Sequence, residues 1–503
     1  MKDSTDSLRA SHVNAGTSIP HQELLWPTRP GRVLRHPPLH VSEERGAVSP
    51  YGGLALAAGL VRRLQLPQLL DAGLDLLKFH LPYHDSDHVL ALTYNLYVGG
   101  DNIEDLASLQ GSEAARRMLG AARIPDPTTA GDFLRRFDPE DLDALDRVID
   151  QAQERVWHRR WGRKKQPLAL VDVDSHVKHI QGLQKEGADF TYKGGYGYHP
   201  LAITLGQSQE VLRLVNRPGN VASCEDAAEH LDRVFPLLNR RFRKVVVRGD
   251  SAFYDHKLLK VCEDHGQYFA LVAAAYGGFN RLADAVPDAS WRPFQTRAER
   301  QRQAHGIPKS KRRKRRPNLR RQKALQRKKK DLLLTGQWVT EVEHHVPRLK
   351  RTYRLVIRRQ RIDETDRQGD LFEVWRYRFA ITNLSKRTHS AEDVLDLTYC
   401  RCDQENVIEQ LQNGVAAMRM PTGDFLANAA WLRCARLAHN LKCWLAQLAL
   451  PAETLRWKWK RFRQAFVYVG ATVVHHARQV HVRLAVAHRY HALLLHAHQR
   501  LQP

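Results

Sequence analysis

The chain has 503 residues, of which 43 % are hydrophobic, enough for roughly three domains with buried cores. Its formal net charge is +25 at pH 7, and so cationic a protein lowers its electrostatic free energy most by binding a polyanion, which makes nucleic acid the first partner to consider. No apolar run approaches the roughly 20 residues that span a bilayer, and no cleavable leader is visible, so we expect a cytoplasmic protein without membrane contact.

The first part of the chain predicts a tail followed by helices. Residues 1–46 mix Ser, Pro, His and charge without periodicity, which is typical of a flexible tail. From 47 to 160 the apolar spacing is helical, as in GLALAAGLVRRL and DPEDLDALDRVIDQAQERVW. We therefore expect an all-α domain here, and its place ahead of the main core makes it the predicted DNA-binding domain.

Strand patterns begin at Pro167. The apolar runs LALVDVD, LAITLGQ, EVLRLVNRPG, KVVVRGD and YFALVAA alternate with helical stretches that begin near Asp226 and His256. The resulting order β-β-β-α-β-α-β predicts a mixed α/β sheet with helices on both faces. We assign it to 161–280, with a second part at 375–450.

A basic and β-rich insertion is predicted at 281–374, between the two parts of that sheet. Residues 301–330 hold fifteen Lys or Arg and no acid, a density that needs phosphate or solvent around it. This segment is either a DNA clamp or a solvated linker. The candidate DNA contacts in it are Lys309, Lys311, Arg312, Arg313, Lys314, Arg315 and Arg316. The remaining residues, 451–503, are basic and predicted to be helical.

Two predicted strands end in an acid, at Asp174 and Asp250. The carboxyl ends of strands with helical crossovers form a crevice, so these carboxylates can lie together, and their repulsion favours a bound cation. Oxygen-only ligands favour Mg²⁺, and two such ions support phosphodiester displacement. An Asp at a strand end also commonly does no more than cap the next turn.

Aromatic residues occur between the two predicted strand-end acids and also in or near the predicted insertion. The segment YKGGYGYHP at 192–200 either approaches DNA closely and stacks on a base or forms an ordinary strand-entry turn. Trp291, Trp338 and Trp375, in or near the insertion, either hold a flipped base or pack in a core.

Six segments occur in the order found in a known family. They are SDHVLALTYNLYVGGDNIEDLASL at 86–109, VDVDSH at 171–176, YGYHPL at 196–201, RGDSAF at 248–253, FAITNLS at 379–385 and YCRCDQENVIEQL at 399–411. Together they resemble IS1380-like transposases of the IS4-type DDE transposase group, over most of 50–450.

The resemblance implies an RNase H-like fold, interrupted by an insertion, with a three-acid (DDE) active site. By motif the acids are Asp174, Asp250 and Glu405, which would hold Mg²⁺, with Mn²⁺ as a substitute and two ions in all. Asp172, on the same strand face as Asp174, is the alternative first ligand, and Glu409, one helical turn after Glu405, is the alternative third. Arg401 either contacts a phosphate or pairs with a neighbouring acid.

The function that the resemblance implies is cut-and-paste transposition in a bacterial, nucleoid-associated setting. The enzyme would bind terminal inverted repeats and target DNA, acting as a dimer on DNA. Two other interpretations stay open at this point. One is a domesticated, non-catalytic DNA-binding protein on the same scaffold, and the other is an endonuclease that cuts without strand transfer.

Overall fold

The computed structural model describes residues 46–306, 332–364, 374–399, 401–477 and 479–502. Helices fill the part of the chain that precedes the main sheet: α1 (Leu54–Arg63), α2 (Leu66–Gly73), α3 (Asp85–Val98), α4 (Leu106–Gln110), α5 (Glu113–Leu119), α6 (Pro127–Leu134) and α7 (Pro139–Trp161). The side chains of Ser112, Asp126 and Asp138 accept backbone N–H groups where α5, α6 and α7 begin. The predicted helical character is confirmed from Leu54 to Trp161, but residues 47–49 of the predicted all-α domain form a strand. The predicted tail lies outside the described residues except for Gly46.

Strands follow, with helices between and after them. The described strands are β1 (Ala47–Ser49), β2 (Ala169–Ser175), β3 (Lys178–His179), β4 (Asp189–Phe190), β5 (Tyr196–Tyr198), β6 (Leu201–Leu205), β7 (Glu210–Val215), β8 (Val245–Gly249), β9 (Tyr268–Ala273), β10 (Arg292–Pro293), β11 (Leu332–Val346), β12 (Arg351–Glu364), β13 (Val374–Thr382), β14 (Ala471–His476) and β15 (Gln479–Leu484). The later helices are α8 (Ala227–Arg241), α9 (His256–Asp264), α10 (Gly277–Asp284), α11 (Arg297–Ala304), α12 (Ala391–Tyr399), α13 (Cys402–Asn413), α14 (Phe425–Leu448), α15 (Trp459–Phe466) and α16 (His491–Leu501).

The main sheet has nine strands in the order β10-β11-β12-β13-β9-β8-β2-β6-β7. Its centre is parallel, since β8 runs parallel to both β2 and β9, and antiparallel strands flank it, with β6 beside β2 and β13 beside β9. The predicted sequence of three strands, helix, strand, helix and strand is confirmed by β2, β6, β7, α8, β8, α9 and β9, with three short strands inserted after β2.

Helices cover both faces of this sheet, as predicted. On one face Val171, Val247 and Leu271 join the largest hydrophobic core, which also holds residues of α8 and α9. On the other face Val246 packs with Leu397 of α12. Asp172 and Asp174 alternate with Val171 and Val173 along β2, so they point toward the α12 face.

The strands predicted as part of an insertion extend the main sheet. β13 pairs with β9, and β12 and β11 continue the ladder outward. One row of paired residues runs Val173, Gly249, Leu271, Ile381, Leu355 and Val342 across six strands. Beyond this row, at the end where β2 and β8 stop, β11 and β12 continue to Leu332 and Glu364.

Buried ion pairs join α7, which precedes the main sheet in the chain, to α14, which follows it, and to strand β7. The Arg436 guanidinium of α14 donates to Asp146 (2.6 Å) and Asp150 (2.7 Å) of α7, and Arg213 of β7 donates to Asp150 (2.7 Å). Arg433 also contacts Asp146 at 2.9 Å. These contacts of α7 with α14 and β7 continue the packing across residue 160, the predicted end of the helical domain. The predicted domain boundaries themselves stay a prediction.

The prediction that residues 451–503 are helical is wrong in its middle part. β14 and β15 form a hairpin there, and β14 pairs with β1 to make a three-stranded sheet. α15 and α16 lie on either side of the hairpin in the chain. Among the described residues no helix has the length and apolar character required to cross a bilayer. Cys224, Cys262, Cys434 and Cys443 are free thiols.

Candidate active site

The register of two parallel strands sets Asp174 and Asp250 side by side. Pairing of β2 with β8 runs from Ala169 opposite Val245 to Val173 opposite Gly249, so the two acids are the next residues at the same end of neighbouring strands. Such strands lie about 4.8 Å apart.

Asp250 is fixed by the turn that follows β8. Its Oδ1 accepts the Ala252 N–H at 2.9 Å and so caps the short 3₁₀ turn Ser251–Phe253. Glycine is required just before it, because a Cβ on Gly249 would lie 2.8 Å from that of Phe253.

The first turn of α13 lies against the same end of β2. Gln404 Nε2 donates to the Ala202 carbonyl at 3.3 Å, and Ala202 is the ladder partner of Asp174. Arg401, the residue that precedes α13, has Nη2 3.7 Å from Asp174 Oδ2. Glu405 follows Gln404 and is exposed.

The electrostatics of Asp174 reflect the other two acids. Its pKa is raised to about 6, mainly by burial, to which the negative charges of Asp250 and Glu405 add, while Arg401 and the Ser175 N–H, which donates at 2.8 Å, act in the opposite direction. The three sequence-predicted acids are therefore close enough for the charges of Asp250 and Glu405 to act on Asp174. A cation among them would relieve their repulsion.

The donor set suits a hard divalent cation, since all three candidate ligands are carboxylates and one of them is short of compensating charge. Their side chains are not closed around a common point: in the described part of the chain, no group of three or more His, Cys, Asp or Glu side chains is arranged to hold a metal ion. The fit therefore rests on donor chemistry and charge.

Both alternative ligands already have cationic partners. Asp172 is buried and takes two bonds from Arg248, Nε and Nη2 each at 2.7 Å. Glu409 pairs with Lys458 Nζ at 2.6 and 2.8 Å. These pairs favour Asp174 and Glu405 as the ligands, and the assignment stays a prediction.

A buried histidine supports the end of β2, and sequence reasoning did not find this contact. Burial lowers the pKa of His199, so its ring is neutral near pH 7. His199 Nδ1 lies 3.0 Å from the Val221 carbonyl and donates to it, which leaves Nε2 to accept from Ser175 Oγ at 2.9 Å. The only signal in the sequence is that both residues lie in the matching segments VDVDSH and YGYHPL.

The predicted DNA-contact residues divide into two sets. Arg401 lies at the acids, 14 % exposed, with its Nε buried and without a hydrogen-bond partner. The basic cluster lies outside the described residues: Lys309, Lys311, Arg312, Arg313, Lys314, Arg315 and Arg316.

The three tryptophans of the insertion surround one of the chain's own cations. The Arg359 guanidinium lies 4.3 Å from the Trp291 ring centroid, 4.2 Å from that of Trp375 and 5.9 Å from that of Trp338. It also binds Asp288 at 2.8 Å. The arrangement is that of a packed cation–π cluster, which is the second of the two interpretations of these residues.

Comparison with known families settles what kind of protein carries this site. Residues 32–503 match the family described as transposase DDE domain group 1. The chain belongs to this family. The predicted resemblance to DDE transposases of the IS4-type group is thereby confirmed. The nine-stranded mixed sheet agrees with the predicted α/β class.

Several chains of solved structures also match. The cryo-EM structure of a piggyBac transposase synaptic complex with hairpin DNA matches this DDE transposase with a TM-score of 0.33 and 9 % identity, over 82 % of each chain. No curated protein matches this chain. Its family membership makes the chain a DNA-binding transposase of a class that generally uses divalent metal ions.

Proposed function

We propose that this transposase works by cut-and-paste. It binds the terminal inverted repeats of a mobile element as a dimer, cleaves a strand at each end and joins the freed 3′-hydroxyl to target DNA. Asp174, Asp250 and Glu405 are its catalytic residues and hold two Mg²⁺ ions, for which Mn²⁺ can substitute. Bound ions would activate the attacking water or hydroxyl and stabilise the leaving oxygen.

The observation that carries the proposal is the strand register. Asp174 and Asp250 follow directly paired residues of parallel β2 and β8, and Gln404 ties the first turn of α13 to the ladder partner of Asp174. Three carboxylates from three separate elements thus lie near one end of the sheet. A carboxylate cluster held there by main-chain geometry suits a cation site better than a structural ion pair, for which one acid is enough.

The surrounding residues have supporting tasks in this proposal. Arg401 lies 3.7 Å from Asp174 and keeps donors for a phosphate oxygen, so it binds the DNA strand beside the acids. Ser175 is held by His199 and donates its N–H to Asp174, which orients that carboxylate. Dimerisation follows from the need to hold two ends together.

The test is cleavage and joining of DNA that contains both boundaries of the element, by the purified full-length protein in Mg²⁺. We expect Asp174→Asn, Asp250→Asn and Glu405→Gln each to lose more than about a hundredfold in cleavage rate, because loss of even an outer-shell partner of a metal costs ~10–100-fold. DNA affinity should change little, since these acids contact no phosphate directly.

Two conservative variants serve as matched controls. Glu409→Gln, on the same helix as Glu405, and Asp255→Asn, in the turn after Asp250, should both cleave normally. Full cleavage by Asp250→Asn or Glu405→Gln would contradict the site. A wild-type protein that binds but never cleaves would favour the domesticated DNA-binding protein, and one that cleaves without joining would favour the endonuclease.

A further inference from the structure

A hairpin next to the candidate acids presents aromatic rings to solvent. It connects β4 and β5, and its turn is closed by Thr191 N to Gly195 O (2.9 Å) and Gly194 N to Thr191 O (2.9 Å). Thr191 is buried, whereas Phe190 and Tyr192 on either side of it are 69 % and 68 % exposed. Exposed apolar side chains that lie together in this way are typical of interaction surfaces.

Tyr192 is connected to the acids by a short series of contacts. Its ring centroid lies 5.4 Å from that of His199, and His199 Nε2 lies 2.9 Å from Ser175 Oγ. Ser175 is the residue after Asp174. The exposed ring is therefore two side chains away from the proposed catalytic carboxylate.

The charges around this ring are positive. Lys193 Nζ lies 5.6 Å from the centroid of the Tyr192 ring. Lys178 lies on β3, which pairs with β5 in the same three-stranded sheet. Like charges grouped in this way favour an anion.

Two acids of the hairpin region keep their negative charge, and their described hydrogen bonds come from neutral donors and not from Lys193 or Lys178. Asp189 accepts the Phe190 N–H and the Asn220 side-chain amide, each at 2.6 Å. Glu186 accepts the Phe425 N–H at 2.9 Å.

We propose that this hairpin is a stacking site for an unpaired nucleobase of the DNA that lies against the carboxylates, with the Tyr192 ring on the base and Lys193 and Lys178 on the neighbouring phosphates. Aromatic rings bind the face of any base, so the site selects for an unpaired base and not for a sequence. The inference rests on the proposed function for the identity of the ligand as DNA, and it specifies a substrate class, DNA with an unpaired base near the cut.

The experiment compares two fluorescent probes, a short perfect duplex and the same duplex with a single unpaired thymine, by anisotropy titration of the full-length protein without divalent metal. Wild type should bind the second probe about tenfold more tightly, because base–aromatic stacking contributes on the order of 1–3 kcal/mol. Tyr192→Ala should lose this preference and keep its affinity for the perfect duplex, and Tyr192→Phe should retain both. Lys193→Gln should weaken binding to both probes.

Tyr276→Ala is the matched control, since Tyr276 is also exposed but caps α10, and it should behave as wild type. A preference that persists in Tyr192→Ala overturns the inference, as does equal binding of the two probes by wild type. If wild type cleaves element ends but shows no preference, the inference fails alone. If the preference depends on Tyr192 but no DNA is ever cleaved, the proposed catalysis fails alone.

Discussion

Ionised Asp174 destabilises the metal-free folded protein. Burial, with the charges of Asp250 and Glu405, raises its pKa to about 6 from 3.8, so the metal-free folded protein binds this proton more tightly than the unfolded chain does. The stability contribution of such a group is full below about pH 4 and is lost as the pH rises through about 6. A site that destabilises the folded protein when it is ionised and holds no metal adds stability to the fold when a cation binds.

The Asp174→Asn variant tests this directly. In EDTA at pH 7 we expect it to increase the free energy of unfolding by about 3 kcal/mol, because the pKa rises from 3.8 to about 6 and each pKa unit corresponds to about 1.4 kcal/mol. At pH 4 the gain should disappear, and added Mg²⁺ should stabilise wild type but not the variant. Thermal unfolding under these conditions is the measurement. A variant less stable than wild type at pH 7 would contradict the prediction.

The residues of the site differ in how far the sequence could reveal them. Asp174 and Asp250 follow apolar runs, and the edge of a sheet is where such runs end, so their proximity was predictable. Glu405 follows a long intervening segment, and only the family resemblance pointed to it. The partners of Asp172 and Ser175 are set by strand register and by packing of β5 against β3, which no local pattern encodes.

At the level of elements, α7 and α14 depend on buried charges. Burial alone would raise the pKa of Asp146, but Arg433, Arg436 and Arg213 outweigh it and lower the pKa to about 2. A depressed pKa of this kind contributes stability that is present above about pH 4 and is lost as the pH falls through about 2.

We predict that Asp146→Asn lowers the free energy of unfolding by about 3–5 kcal/mol at pH 7, because it leaves buried guanidinium groups without a countercharge. Urea unfolding at pH 7 and at low pH measures the effect, which should shrink as the pH approaches 2. Asp143→Asn is the control on the same helix, since the Asp143–Arg233 pair is partly exposed and should contribute less than about 1 kcal/mol. Equal losses in the two variants would show that the buried network is unimportant.

The prediction of strands from the sequence succeeded where the apolar runs were long. It failed for very short strands and where a turn lacked its usual residues. The strands of the main sheet were recognisable from β-branched runs. β3, β4 and β5 have two or three residues each, too few to show alternation. The β14–β15 hairpin turns at Ala477, with a φ of 49° and no Gly, Asn or Asp to mark it, so its basic and His-rich sequence suggested a helix.

At the scale of the whole molecule, the sheet connects the acids to the basic segment. β11 begins at Leu332, where the chain leaves the Lys- and Arg-rich stretch, and β11 starts at the end of the ladder where β2 and β8 stop. The chain thus enters β11, after the basic stretch, on the side of the candidate site.

We predict that a six-residue substitution in the basic segment weakens DNA binding without regard to sequence. The change is to Gln at Lys311, Arg312, Arg313, Lys314, Arg315 and Arg316. The plot of log affinity against log salt should flatten, because each lost phosphate contact removes about 0.9 from its slope. The paired change Lys257→Gln and Lys260→Gln, on α9, should leave the slope as in wild type. An unchanged slope in the six-residue variant would mean that the segment is a linker.

The continuity of the sheet also sets a length scale for the DNA. Five strand spacings of about 4.8 Å separate β2 from β11, a width of about 24 Å, which equals about seven base pairs of duplex. A duplex that runs along the sheet from the acids to Leu332, where β11 begins, therefore covers about that many base pairs beyond the cut. An element end trimmed below this length keeps its cleavable phosphate but stops short of the start of β11.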